Sequence, residues 1–294
     1  MNKVGFIGVG IMGKSMVRNL MKAGFELHIY ARTKSKVEDV IGEGAQFHES
    51  IKDCVQDCDA VITIVGFPQD VEEVYFDEEN ILDSAKEGAY LIDMTTTSPQ
   101  IAEKIYAEGT KRGFHVMDAP VTGGDTGAKA GTLSILVGGE KEDYEACMPL
   151  FEAMGTNINY QGKAGCGQHC KLANQIMIAG TLSGVCEALT YAKEQGLDPE
   201  VFMKSVATGA AGSKQLDTFG PKILKDDYAP GFFMKHFIKD MKLALIEANR
   251  KGLSLDVLSM VLANYEELEQ EGYGDLGTQA LMKFYDEEHR NTEE

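Results

Sequence analysis

Positive charge is scarce in this chain. Its 28 lysines and arginines face 46 aspartates and glutamates, a formal net charge of −18 over 294 residues. That balance argues against nucleic acid or an anionic membrane surface as a partner. It also means that an anionic ligand must find a local group of cations, so single lysines and arginines carry weight. Long apolar runs are missing too: none approaches the roughly 20 residues of a membrane span. The N-terminus, MNKVGFIGVG, is apolar but too short for a signal peptide, and glycines interrupt it. Only six cysteines occur, and the pairs Cys54/Cys58 and Cys166/Cys170 have a three-residue gap in place of the usual structural-zinc spacing. All six are expected as reduced thiols in a cytoplasmic protein. His169 and His236 have no further His, Asp or Glu completing a metal set around them, so no metal is expected. No GxSxG is present, and hydrolase chemistry has no support.

What is present divides in two. The first half alternates β-rich runs, VGFIGVG (4–10), ELHIY (26–30), AVITIV (60–65), AYLID (89–93) and FHVMD (114–118), with helical patterns. Such alternation predicts an α/β domain, a parallel sheet covered on both faces. Ile11 to Ala23 reads as an amphipathic helix with Met12, Met16, Leu20 and Met21 inward. LSILV (133–137), a helix over about 140–153 and a strand near NINY (157–160) complete this half. From Gln168 the pattern is almost wholly helical. One helix runs for about seven turns, with Gly180 and Gly184 one turn apart and set to receive another helix; Lys171, Glu187 and Lys193 argue against a span. Further helices are predicted over 199–208, 213–225, 234–251, 254–271 and 276–286, before a charged tail expected to fray. No repeat or low-complexity linker intervenes, so the expected domains are 1–163 and 164–294, tightly joined.

The sequence GVGIMG sets Gly8, Gly10 and Gly13 in GxGxxG spacing, directly after a strand and opening a helix. The first glycine permits the turn, the second lets a pyrophosphate approach the backbone, and the third lets helix and strand pack closely. The helix N-terminus then offers N–H groups to phosphates. Ile11 and Met12 of this turn, and Val65 at the end of AVITIV, complete the expected contacts there. About 20 residues on, an NAD site places Asp or Glu to accept from the ribose 2′-hydroxyl. Here no carboxylate occurs between Glu26 and Glu38, and Arg32 and Thr33 hold the position. A guanidinium and a hydroxyl suit a 2′-phosphate. NADP(H) is the expected cofactor, with NAD(H) admissible.

Four stretches, FIGVGIMG (6–13), DAPVTGG (118–124), GCGQHCKLANQ (165–175) and HFIKD (236–240), resemble the signatures of the β-hydroxyacid dehydrogenases. That family includes 3-hydroxyisobutyrate dehydrogenase and tartronate semialdehyde reductase. The resemblance implies an N-terminal Rossmann-type domain, an all-α C-terminal domain with a long connecting helix, and a homodimer or homotetramer. It implies hydride transfer between a nicotinamide and a small carboxylate-bearing 3-hydroxy or 3-oxo acid. Carried over by position, Thr122, Gly123 and Gly124 hold the substrate carboxylate, with threonine where serine is usual. Lys171 is the catalytic lysine and Asn174 the first of a usual asparagine pair, whose second member is here Gln175. Lys239 lies near the nicotinamide with Asp240 beside it in sequence, and Thr96 borders the nicotinamide half.

The chemistry suits these residues. Hydride reduction of an aldehyde leaves negative charge on oxygen, which an ammonium both stabilises and protonates. Oxidation asks the same lysine to start neutral, which near neutral pH needs desolvation or a nearby cation such as Lys239. Lys239 and Asp240, being adjacent, are expected on different helix faces. Phe232, Phe233 and His236 are expected to help set pocket size. Two other readings compete: a 6-phosphogluconate dehydrogenase, which is much longer and follows its lysine with a histidine–asparagine pair, and a non-catalytic NADP-binding scaffold, in which the lysine would be replaced.

Overall fold

The computed structural model describes residues 1–285. The expected fraying tail, 286–294, and the last residue of the helix read over 276–286 lie outside the described residues. The chain divides into two compact units, Met1–Lys171 and a second beginning at Leu172.

The first unit is built on nine strands. They are β1 (Lys3–Ile7), β2 (Glu26–Tyr30), β3 (Gln46–Phe47), β4 (Ala60–Thr63), β5 (Tyr90–Asp93), β6 (His115–Asp118), β7 (Val121–Thr122), β8 (Leu133–Gly138) and β9 (Gly155–Gly162). Their order is β3-β2-β1-β4-β5-β6-β8-β7, with β9 paired to β8. From β3 to β6 the pairing is parallel. β8 runs antiparallel to β6 and β7 and parallel to β9. Both faces are covered, as a Rossmann-type sheet requires. Phe6, Ile29, Ala60 and Ile62 pack on one side with Met16 and Leu20 of the helix Ile11–Lys22. Val61, Leu91 and Val116 pack on the other with Tyr75 and Ile105. Alternate residues of each strand feed opposite cores, which is why the strands read as unbroken apolar runs.

Local readings change in two places. The helix expected over 140–153 is two, Lys141–Ala146 and Met148–Met154. Pro149 has no N–H to continue the first ladder but suits the first turn of the second. β3 and β7 were not anticipated, since two residues cannot display a period of two. All six cysteines are free thiols, with Cys54, Cys58, Cys147 and Cys186 buried.

The helix Cys166–Glu194, 29 residues long, starts two residues before the expected Gln168 and runs from the first unit into the second. Among the described residues it alone has the length and mean hydropathy, 1.2 over 18 residues, of a membrane span. A core helix passes the same test, and its Leu172, Ala179, Leu182, Cys186 and Leu189 form the spine of the second core. Phe237 and Met241 of the helix Met234–Arg250 join them, with Val261 and Tyr265 of the helix Asp256–Gln270. The helices Pro199–Val206 and Lys214–Ile223 complete the α-helical part. The expected helix in the Gly180/Gly184 groove is found at the first glycine only. A Cβ on Gly180 would meet Val257 Cγ1 at 3.6 Å, whereas Gly184 faces open space. The segment after 276 is not an α-helix but a 3₁₀ run, Thr278–Tyr285. Thr278, Gln279, Ala280 and Leu281 are all buried, whereas an amphipathic α-helix would turn part of such a run outward.

Candidate active site

The GxGxxG turn joins β1 to the helix Ile11–Lys22, at the reversal of strand order between β1 and β4, where doubly wound sheets bind ligands. The structure separates the roles of its glycines. Gly8 has φ +97°, and a Cβ there would lie 2.1 Å from the Ile64 carbonyl oxygen; one on Gly13 would lie 2.2 Å from the Gly8 oxygen. Those two are required by the fold. Gly10 is not: a Cβ there meets nothing within 4 Å. The space beside it is open, which close approach of a pyrophosphate to the backbone requires. The helix has no side-chain cap and no acidic residue in its first turn, so its N–H groups suit a pyrophosphate. Ile11 is half exposed beside them, Met12 packs on the core, and the Val65 N–H donates to Thr95 Oγ1 at 3.0 Å. These residues fit a dinucleotide. Gly10→Ala is expected to leave stability within about 0.5 kcal/mol yet raise the cofactor KM about tenfold. Thermal melts and initial rates on one preparation check this.

Arg32, 61 % exposed, follows β2. Its guanidinium donates to Asp70 Oδ1 at 2.6 Å and to Glu73 Oε2 at 2.8 Å, both on the helix Pro68–Phe76. The Asp70 hydrogen bond, outweighing some burial, holds the guanidinium's pKa above its ordinary value. Thr33 is exposed and makes no capping bond to the short turn Lys34–Lys36. The β2 turn contains no acid, but two acids reach it from about forty residues further along the chain.

The start of the long helix is clamped to the strand ends. Asp118, at the end of β6 and 3 % exposed, accepts from the Gly165 and Gln168 N–H groups, each at 2.8 Å. This carboxylate caps the helix that carries Lys171. Burial pushes its pKa up, against the two backbone donors. Gln168, fully buried, donates to the Thr95 oxygen at 2.7 Å and accepts from the Thr97 N–H at 3.0 Å. It thereby ties the loop after β5 to the helix. Within that loop Met94, Thr95 and Thr97 are buried and Thr96 is partly exposed. Lys171, one turn beyond Gln168, is 7 % exposed. The glycine-rich approach has a packing reason: a Cβ on Gly167 would lie 2.4 Å from the Leu136 oxygen and 2.7 Å from the Asp118 oxygen. Neither Asp118 nor Gln168 was singled out from sequence; the signal was their place inside the two signature stretches.

Asp93 closes β5. Its Oδ1 accepts from Thr63 Oγ1 at 2.7 Å and from the Thr95 N–H at 3.1 Å, while Oδ2 has no hydrogen-bond partner among the described residues. Burial pushes its pKa up to about 6 from 3.8, despite those donors. The folded state thus holds this proton to higher pH than the unfolded chain. The group's contribution to stability is therefore lost as pH rises through that window. The stability of Asp93→Asn, compared with the parent by urea melts, is expected to gain about 2–3 kcal/mol between pH 4 and pH 7. A flat difference would show that the carboxyl titrates normally.

Thr122, at the end of β7, pairs with Ser134 of β8. Gly123 and Gly124 follow with φ +132° and +64°, and a Cβ on Gly124 would meet nothing within 4 Å. As at Gly10, the backbone is left open to approach.

In the second unit, Asn174 Nδ2 donates to Gln175 Oε1 at 2.8 Å, and Gln175 Nε2 to Asp240 Oδ2 at 2.7 Å. Lys239 Nζ stands 3.0 Å from Asp240 Oδ1, both side chains largely buried. The expectation that Lys239 and Asp240 diverge is thus corrected: a long lysine side chain curls back to its sequence neighbour when both are withdrawn from water. Gln175, 1 % exposed, links Asn174 to this ion pair. Nearby on the same helix, His236 stacks on Phe232 and meets Phe233 edge-on, at 6.4 and 5.9 Å between centroids.

Residues 3–162 match the family model described as the NAD binding domain of 6-phosphogluconate dehydrogenase. Residues 165–285 match that of the NAD-binding region of NADP-dependent 3-hydroxyisobutyrate dehydrogenase. The chain is 49 % identical to an uncharacterized oxidoreductase, YkwC, of Bacillus subtilis, over 96 % of this chain and 98 % of that protein. It is 44 % identical to probable 3-hydroxyisobutyrate dehydrogenase-like 1, mitochondrial, of Arabidopsis thaliana, over 95 % and 84 %. To the 2-hydroxy-3-oxopropionate reductase of Escherichia coli it is 37 % identical over 86 % of each. Among solved structures, 3-hydroxyisobutyrate dehydrogenase of Mycobacterium tuberculosis with L-serine superposes with a TM-score of 0.88 at 26 % identity, over 96 % of this chain and 98 % of that one.

Proposed function

The chain belongs to the β-hydroxyacid dehydrogenase family, oxidoreductases with a pyridine nucleotide, and from that premise we propose that it interconverts a small 3-hydroxy acid and its semialdehyde using NADP(H). The observation that carries this reading is a buried lysine, Lys171, one turn into a helix whose start is fixed by Asp118 and Gln168. When bound, the nicotinamide supplies or accepts the hydride. Lys171 donates its proton to the carbonyl oxygen in reduction and takes it from the hydroxyl in oxidation. The open backbone at Gly124, next to Gly123 and with the Thr122 hydroxyl, holds the substrate carboxylate. Asn174 orients the substrate, and Gln175 holds Asn174. For cofactor choice, support comes from Arg32 and the lack of an acid in the β2 turn. The names of relatives support a substrate of three or four carbons: the Mycobacterium structure carries L-serine, itself a 3-hydroxy acid.

The test is a rate screen with tartronate, methylmalonate and succinate semialdehydes and glyoxylate against both reduced cofactors. Turnover of at least one, with kcat/KM for NADPH above that for NADH, is expected. Binding of NADPH without turnover across the panel would favour a scaffold, and NADH equal to NADPH would remove the cofactor assignment. Arg32→Ala is expected to raise the NADPH KM by about tenfold or more, the loss of a charge-assisted phosphate contact, and to leave the NADH KM within about twofold. Steady-state kinetics at fixed ionic strength reads both.

A further inference from the structure

The proposed 2′-phosphate ligand is already engaged by acids. Arg32 bonds at once to Asp70 and Glu73, and Asp70 is itself held. Its other oxygen accepts from the Phe67 N–H at 2.9 Å, and its side chain is only 19 % exposed. Glu73, one helical turn on, is 53 % exposed. Glu73 also lines an open cavity of about 770 Å³ whose other charged lining residues, Glu49, Asp77, Glu78, Glu79 and Asp83, are all acidic. The next cation in the β2 turn does not offset this, because Lys34 lies 3.3 Å from Glu49 and over the Phe47 ring.

We propose that Asp70 and Glu73 form an acidic latch on Arg32 that sets how strongly the site prefers a 2′-phosphorylated dinucleotide over one with a free 2′-hydroxyl. The inference rests on the reading of Arg32 as the phosphate ligand. A 2′-phosphate that reaches Arg32 must displace or share these carboxylates, and they stay close by as like charges. A 2′-hydroxyl meets no such repulsion. It also leaves no cation unpaired, since the latch already neutralises Arg32. Specificity is the difference between the two affinities, so the latch compresses it and admits both cofactors.

The experiment measures KM and Kd for NADPH and NADH on the full chain, at one low ionic strength, for the parent, E73Q, D70N/E73Q, R32A and the control E72Q. Glu72 is on the same helix but bonds to Lys104. Asn at position 70 retains an oxygen for the Phe67 N–H, so the helix start survives. Glu73→Gln is expected to lower the NADPH constants about threefold and the double variant about tenfold, with NADH within about twofold. E72Q is expected to change neither, which separates a local latch from mere loss of net charge. If R32A weakens NADPH binding but the NADPH/NADH ratio is the same in E73Q, D70N/E73Q and parent, the latch is wrong and the Arg32 reading stands. If R32A leaves NADPH binding unchanged, both fall. An E72Q effect equal to that of E73Q also overturns the latch.

Discussion

Replacing Lys171 with alanine is expected to lower kcat by about 10²–10⁴, the usual contribution of a positioned general acid or base, while NADPH still binds with its parental Kd. Lys171 is 7 % exposed, so alanine there removes both the cost of withdrawing an ammonium from water and the interactions that compensate it. Melting temperature is therefore read beside turnover: a fall in kcat on the folded fraction far beyond any loss of stability would mark the lysine as present for chemistry. Arginine at the same position makes a sharper test. A guanidinium keeps the positive charge but cannot give up its proton in a protein. Lys171→Arg is therefore expected to impair reduction of the semialdehyde and oxidation of the hydroxy acid alike, because both need a group at this position that can exchange its proton. Near-parental activity in the arginine variant would mean that positive charge alone, not proton transfer, decides the effect. Full activity in the alanine variant would remove Lys171 from the mechanism.

What could be read from the sequence, and what could not, divides by range. β1, β2, β4, β5 and β6 were legible because strands buried on both faces appear as unbroken apolar runs. The nucleotide turn was legible because Gly8, Gly10 and Gly13 act within six residues of one another. The long helix was visible from its spacing, and Lys171 from the resemblance of the stretch around it. Contacts made over long separations left no local trace. Asp118 meets Gly165 and Gln168 across 47 and 50 residues, Arg32 meets Asp70 and Glu73 across 38 and 41, and Gln175 meets Asp240 across 65. Periodicity reports which face of an element is buried but not which polar group waits at the far side. The Lys239–Asp240 pair failed for a different reason. A face argument follows Cβ directions, and a four-carbon stem can leave its own face when burial rewards pairing.

Gly167→Ala is the change expected to disturb both stability and turnover through one contact. The added Cβ would stand 2.4 Å from the Leu136 oxygen, 2.7 Å from the Asp118 oxygen and 2.8 Å from Asp118 Oδ2. Two of these three are backbone atoms of sheet strands β6 and β8, which cannot step aside as the end of a flexible side chain would. The helix start must therefore move away from the sheet, and the bonds from the Gly165 and Gln168 N–H groups to Asp118 stretch as it does. Overpacking, together with a weakened charged cap, is expected to cost about 2–4 kcal/mol. The same displacement carries Lys171, one turn further along, away from its place, and a shift of about 1 Å at a reacting group costs about 10²-fold in rate. Chemical melts and kcat on the folded fraction measure the two effects separately. Asp118→Asn keeps one acceptor oxygen and adds no heavy atom, though its NH2 faces one of the two backbone N–H groups, so it should weaken the cap with a smaller loss of kcat. If Gly167→Ala loses stability but its folded fraction turns over at the parental rate, the clamp holds the helix without placing the lysine.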